Sequence, residues 1–139
     1  MAAFQKFPVF LEDLHAGLHD LRENQHDVKV LLTNTTPTAG NTRLSDLTEI
    51  TAENGYSAGG LSIDQDVVRT GGVTQLTGVD QTFTASGGSI GPFRYVVVYN
   101  STATGGPLIA WWDRGSSLTL EDNESFQVQF DGGVVHDME

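Results

Sequence analysis

The chain reads as a mainly β protein, an antiparallel sandwich, jelly roll or barrel carrying one short N-terminal α-helix. Three observations predict this. Short β-rich runs follow one another from Tyr56 onward, separated by Gly, Asp, Asn and Ser turns. The run Tyr95-Val96-Val97-Val98-Tyr99 is unbroken by polar residues, as in a strand buried on both faces, or buried on one face and contacting a neighbour on the other. Phe126, Val128 and Phe130 alternate with Gln127 and Gln129, the two-residue period of a half-buried strand.

The elements follow in chain order. Residues 10–21 carry Leu14, Leu18 and Leu21 at i, i+4 and i+7, with Leu11 a turn earlier, so a helix is expected there. Pro8 precedes it, where proline is tolerated, and Gly17 weakens it by about 1 kcal/mol relative to Ala. Such a helix can cover one open end or face of a β domain. Residues 27–33 alternate around Val28, Val30 and Leu32 and read as a strand. Residues 34–43 form a polar loop. Residues 44–50 space Leu44, Leu47 and Ile50 as a single helical turn, with Asp46 and Glu49 placed as a capping box. Further strands are expected at 60–69, 73–77, 81–85, 94–100, 108–113, 117–120 and 125–130.

At 139 residues the chain fits one domain, 1–139, with an arm and helix over about 1–22 and an acidic tail over about 131–139. A domain of this size buries roughly 70% of its unfolded surface and stabilises a core without staples. There is no cysteine, which excludes disulfides, thiolate zinc sites and cysteine nucleophiles. Residues 1–10 hold one Lys and no long apolar run, unlike a signal peptide. No run approaches the ~18 apolar residues of a membrane span. Eighteen acids against seven bases give a net charge of −11, and the bases are scattered. That balance suits a solvated surface and disfavours direct binding to nucleic acid, which needs clustered Lys and Arg.

The search for chemistry finds little. His15 and His19 stand at i and i+4, a spacing that can bring two imidazoles to one metal. The Glu of a zincin motif and an identifiable third ligand are both missing, so the pair reads as a solvated helix face and no metal is expected. His26 and His136 have no recognisable partners. Ser86-Gly87-Gly88-Ser89 is not a nucleophile elbow and precedes no helix, so it reads as a turn that uses glycine for positive φ. Asp64/Asp66 and Asp122/Glu124 occupy alternate positions and read as charges on strand ends that resist edge-to-edge pairing. Asn34, Asn100 and Asn123 begin glycosylation-type triplets that arise by chance in a Ser/Thr-rich chain. No cofactor and no catalytic constellation emerge.

The aromatic residues remain: Phe83, Phe93, Tyr95, Tyr99, Trp111, Trp112, Phe126 and Phe130. Adjacent side chains in a strand point to opposite faces, so Trp111 and Trp112 cannot share one. One is expected in the core and the other outward, where aromatics anchor interfaces.

Several segments together carry a resemblance. They are Asn54-Gly55-Tyr56-Ser57-Ala58-Gly59-Gly60, Thr84-Ala85-Ser86-Gly87-Gly88-Ser89-Ile90-Gly91-Pro92-Phe93-Arg94-Tyr95, and Trp111-Trp112-Asp113 with Gly115-Ser116-Ser117. Val30-Leu31-Leu32-Thr33-Asn34-Thr35-Thr36-Pro37 and Leu44-Ser45-Asp46-Leu47-Thr48-Glu49-Ile50 extend the pattern toward the N-terminus. The pattern covers roughly residues 4–130. It resembles small virion proteins of tailed bacteriophages, most closely the cement or decoration proteins of short-tailed phages. The resemblance implies a jelly-roll-like antiparallel β-sandwich on the outer capsid surface, clamping neighbouring major capsid subunits, often as a dimer at two-fold positions. It implies binding without catalysis. A second copy is the other expected partner, a dimer before a trimer; nucleic acid and membrane are not. The expected contact residues are Phe93, Tyr95, Tyr99, Trp111 and Trp112 as anchors, and Phe4, Phe7 and Phe10 on a reaching arm of residues 4–10. The alternatives are a tail or head–tail connector component and a carbohydrate-binding β-sandwich with a Trp stacked on sugar.

Overall fold

The computed structural model describes residues 4–130 and Val134. In order, its elements are β1 (Gln5–Lys6), α1 (Pro8–His15), β2 (Val28–Thr33), a 3-10 turn (Leu44–Asp46), β3 (Leu61–Ser62), β4 (Asp66–Thr70), β5 (Val73–Thr77), β6 (Gln81–Thr84), β7 (Ile90–Asn100), β8 (Leu108–Leu120) and β9 (Ser125–Val128). The main sheet has the order β1-β8-β7-β2-β3, and β4-β5 and β6-β9 form two smaller sheets. All pairings are antiparallel. The protein is therefore mainly β with one α-helix among the described residues, as the composition predicts.

The helix is shorter than its leucine spacing suggests. Gly17 takes φ +81, which stops the helix after His15. Leu18 N–H then donates to the Asp13 carbonyl (3.0 Å) and Gly17 N–H to that of Leu14 (3.2 Å). These two bonds make a Schellman motif, which satisfies the last helical carbonyls. Leu18 consequently leaves the apolar stripe and is 38% exposed, while Leu21 reaches the core from irregular chain. Within α1 the buried residues are Phe10 and Asp13.

The Tyr95–Tyr99 run is covered on both sides. Antiparallel register places Val30 opposite Val98 and Leu32 opposite Val96 on one face, and Leu31 opposite Val97 on the other. The first face packs on Phe10, Ile63, Leu76, Phe83, Phe93 and Val128. The second packs on Phe7, Leu47 and Leu108, with Val9, Leu44 and Trp111 at its margin. The small β6-β9 sheet thus adds to one side, while the N-terminal arm and the 3-10 turn cap the other.

Several sequence boundaries shift, β7 starting at Ile90 and β9 ending at Val128 among them. The expected strand at 60–69 splits at Asp64, whose φ of +47 breaks the extended backbone, so β3 and β4 join different sheets. The runs 108–113 and 117–120 instead form one strand, β8, with Gly115 at φ +93 between them. The turn at residues 44–50 closes after three residues. Asp46 does not open it; its carboxylate accepts from the Thr42 and Arg43 N–H groups at 2.8 and 3.2 Å. Glu49 instead accepts from Tyr56 Oη (2.5 Å) and Gly59 N–H (2.7 Å). The tail at 131–139 lies outside the described residues except Val134, whose N–H donates to the Leu76 carbonyl at 2.6 Å.

Candidate functional site: the tryptophan edge of β8

β1 pairs with β8 only through Gln5↔Trp111 and Lys6↔Ala110. From Trp112 onward β8 is the outermost strand of the main sheet among the described residues. Strand alternation sends Trp111 and Trp112 to opposite faces there, as expected. The expectation of one core Trp and one outward Trp is corrected: both are half-buried. Trp111 lies 4.7 Å from the Phe7 ring on the second face. Trp112 stacks at 6.3 Å and 24° on Phe126, itself edge-on to Phe93 at 5.2 Å. Each indole therefore packs against the margin of one core cluster and retains a solvent-facing part. Beside them, Arg94 forks onto Asp113 at 2.9 and 3.2 Å. That guanidinium, with the Gly115 N–H, holds the Asp113 carboxyl below the usual range. The Arg94 guanidinium also lies 5.4 Å from the centre of the Tyr95 ring.

The other expected contact residues fall elsewhere. Phe7, Phe10 and Phe93 are fully buried, and Tyr95 and Tyr99 retain 6% and 3% exposure. They are core in this structure and offer no surface. The reaching arm is also corrected. Phe7 N–H donates to the Ile109 carbonyl at 3.0 Å, which folds residues 4–10 back along β8. Phe4 is half-buried and stacks on Phe130 at 5.5 Å. The structure thus brings Trp111, Trp112 and the arm together and withdraws the rest.

A cavity of about 400 Å³, missed by the sequence reading, opens between residues 23–27 and 62–65. Glu23, Asn24, Gln25, His26, Asp27, Ser62, Asp64 and Gln65 line it. Gln65 fixes its wall: the side-chain Nε2 donates to the His26 carbonyl (2.5 Å), and Oε1 accepts from Val28 N–H (3.3 Å). No local motif signals this cavity, because its two walls are distant in sequence. Among the described residues, no group of three or more His, Asp or Glu is placed to hold a metal.

The remaining polar candidates also move. His15 and His19 do not share a helix face, because His19 lies beyond the helix end and is 9% exposed. Asp66 opens β4, on a strand end as expected. Asp64 lies outside any strand, Asp122 accepts from Gly87 N–H at 2.9 Å, and Glu124 accepts from Glu121 N–H at 2.8 Å. These last three acids organise turns. Asn100 is fully buried. Comparisons with protein-family models, curated proteins and solved structures find no match.

Proposed function

We propose that this chain is a capsid cement protein of a tailed phage, a jelly-roll-like antiparallel β-sandwich that binds the outer surface of the major capsid shell and bridges neighbouring capsomers. The observation that carries the reading is the partly buried pair Trp111 and Trp112 on the outermost strand, within segments that bear the resemblance. Two aromatic anchors on opposite faces of one strand can grip two surfaces at once. A protein repeated over a lattice gains strong retention from modest contacts of this kind. A net charge of −11 keeps such a protein dispersed before assembly and off the packaged nucleic acid. A second copy is the proposed neighbour on the shell.

The test adds purified chain to capsids prepared without it and measures saturable binding and heat resistance. Expected is saturable binding that raises the temperature of shell disruption. Trp111→Ala and Trp112→Ala should each weaken binding about tenfold or more, as truncated aromatic anchors do. Val68→Ser, at a 40%-exposed position on β4, should bind as the parent does. Absence of saturable binding sinks the reading. Binding to a glycan array without capsid binding points to a carbohydrate module instead.

A further inference from the structure

Asn100 ends β7 and is completely buried. Its Oδ1 accepts the Thr102 and Ala103 N–H groups at 3.0 and 3.1 Å, which fixes the orientation of the amide. Its Nδ2 is therefore the donor end. That nitrogen lies 3.1 Å from His19 Nδ1 and 2.9 Å from His26 Nδ1. His26 Nδ1 also accepts the Asp20 N–H at 3.2 Å. Both Nδ1 atoms must then be acceptors, so each imidazole is neutral with its proton on Nε2. A second proton on either ring goes to Nδ1 and sets one N–H against another.

We infer that Asn100, His19 and His26 form an acid-released latch that pins residues 16–27 to the turn between β7 and β8. Strand pairing joins the two segments only at Val28↔Asn100, and Asp27 bonds Ser101 and Thr102 beside it; the latch is what holds residues 19–26 beyond that point. Residues 23–27 are a wall of the 400 Å³ cavity, where Gln65 and the Asp27 bonds to Ser101 and Thr102 hold the far end independently of the latch.

The groups facing the latch come from every element around it. α1 contributes the buried Asp13 and the Phe10 ring, 5.3 Å from His19 and edge-on. Arg43, just before the 3-10 turn, forks onto Asp13 at 2.8 and 3.4 Å. The latched segment contributes Asp20, held by Arg22 at 2.6 Å, and Glu23 and Asp27 at the cavity. Asp64 faces the cavity from the β3–β4 connection. Asp13 favours a charged His19 ring, whereas burial, His26 and Arg43 disfavour it. Burial dominates and lowers His19 from 6.5 to about 4. His19 Nε2 is buried without a partner, so a positive ring gains no hydrogen bond there. The opened ring takes up its proton first. The latch is therefore complete above about pH 6.5 and is lost as pH falls toward about 4.

The test is amide hydrogen exchange on the full chain from pH 7 to pH 4, corrected for the intrinsic pH dependence of exchange. Protection at Asp20, Thr102 and Ala103 should fall on the order of a hundredfold, while Val96, Val97 and Val98 keep theirs. In His19→Gln the pH dependence at those three amides should shrink at least tenfold. Long-range ¹H–¹⁵N spectra of the unmodified chain at pH 7 should show both rings as Nε2–H tautomers. An Nδ1–H signal from either ring overturns the latch. So does a loss of protection spread evenly over the chain, or an unchanged pH dependence in His19→Gln.

Discussion

Gly60 shows how one residue positions a strand. Its φ is +79, and a Cβ there would collide with the Val30 carbonyl oxygen in β2. Gly71 also has positive φ, +61, but has nothing within 4 Å of a Cβ. Gly71→Ala should therefore cost about 1 kcal/mol, from backbone strain alone. Gly60→Ala should cost more than about 2 kcal/mol, because the clash adds to the strain. Urea melts of both variants check this, and equal costs would count against the close approach. Tyr99 supplies a second prediction. Burial, with help from Glu49 and Asp27, pushes its phenol up to about 12 from 10.0. A raised folded-state value means the contribution is complete below pH 10 and disappears as pH climbs through about 12. Absorbance at 295 nm should show Tyr99 ionising late in the parent chain, and Tyr99→Phe should flatten the alkaline loss of stability. At this scale the opposite facing of Trp111 and Trp112 was legible from alternation alone. The partial burial of both was not, because it depends on Phe7 and Phe126, which are remote in sequence.

The elements are tied together by a few polar contacts. Asp13 on α1 is 4% exposed and meets Arg43 at 2.8 Å. Arg43→Met should cost about 3 kcal/mol, because it leaves a buried carboxylate unpaired. The double variant Asp13→Leu with Arg43→Met should cost less than the sum of the two single changes, since no orphaned charge remains. Additive costs would show that the pair does not couple α1 to the 3-10 turn. Helix existence was legible from leucine spacing, but its end was not. The i+4 and i+7 pattern continues through Leu18 and Leu21, and Gly17 overrides it through the Schellman bonds. Strand existence was similarly legible except for β1, which read as part of the arm, whereas joins and breaks depended on single residues. Gly115 lets β8 continue and Asp64 stops β3 from running into β4.

For the whole molecule, the decisive feature is a sheet covered on both faces. Leu31 and Leu32 are each fully exposed to one of the two cores and not to solvent. Leu31→Ala and Leu32→Ala should each cost about 2–5 kcal/mol in a single cooperative urea transition. A negligible cost at Leu31 would mean that the arm and the 3-10 turn do not build a true second core. Two-sided cover was one of two arrangements the Tyr95–Tyr99 run allowed, and what supplies it was not legible. Phe7 and Phe10 read as parts of a reaching arm, yet folding back along β8 hides their rings from water. The proposed contact surface thereby narrows from eight aromatic residues to the Trp111–Trp112 edge with Phe4 nearby. The cement reading rests on that edge. Its most direct test is electron cryomicroscopy of intact particles that carry this chain. The account predicts β-rich density on the outer shell between neighbouring capsomers, with the β8 edge turned toward the capsid or a second copy. Density confined to the tail or connector would contradict it.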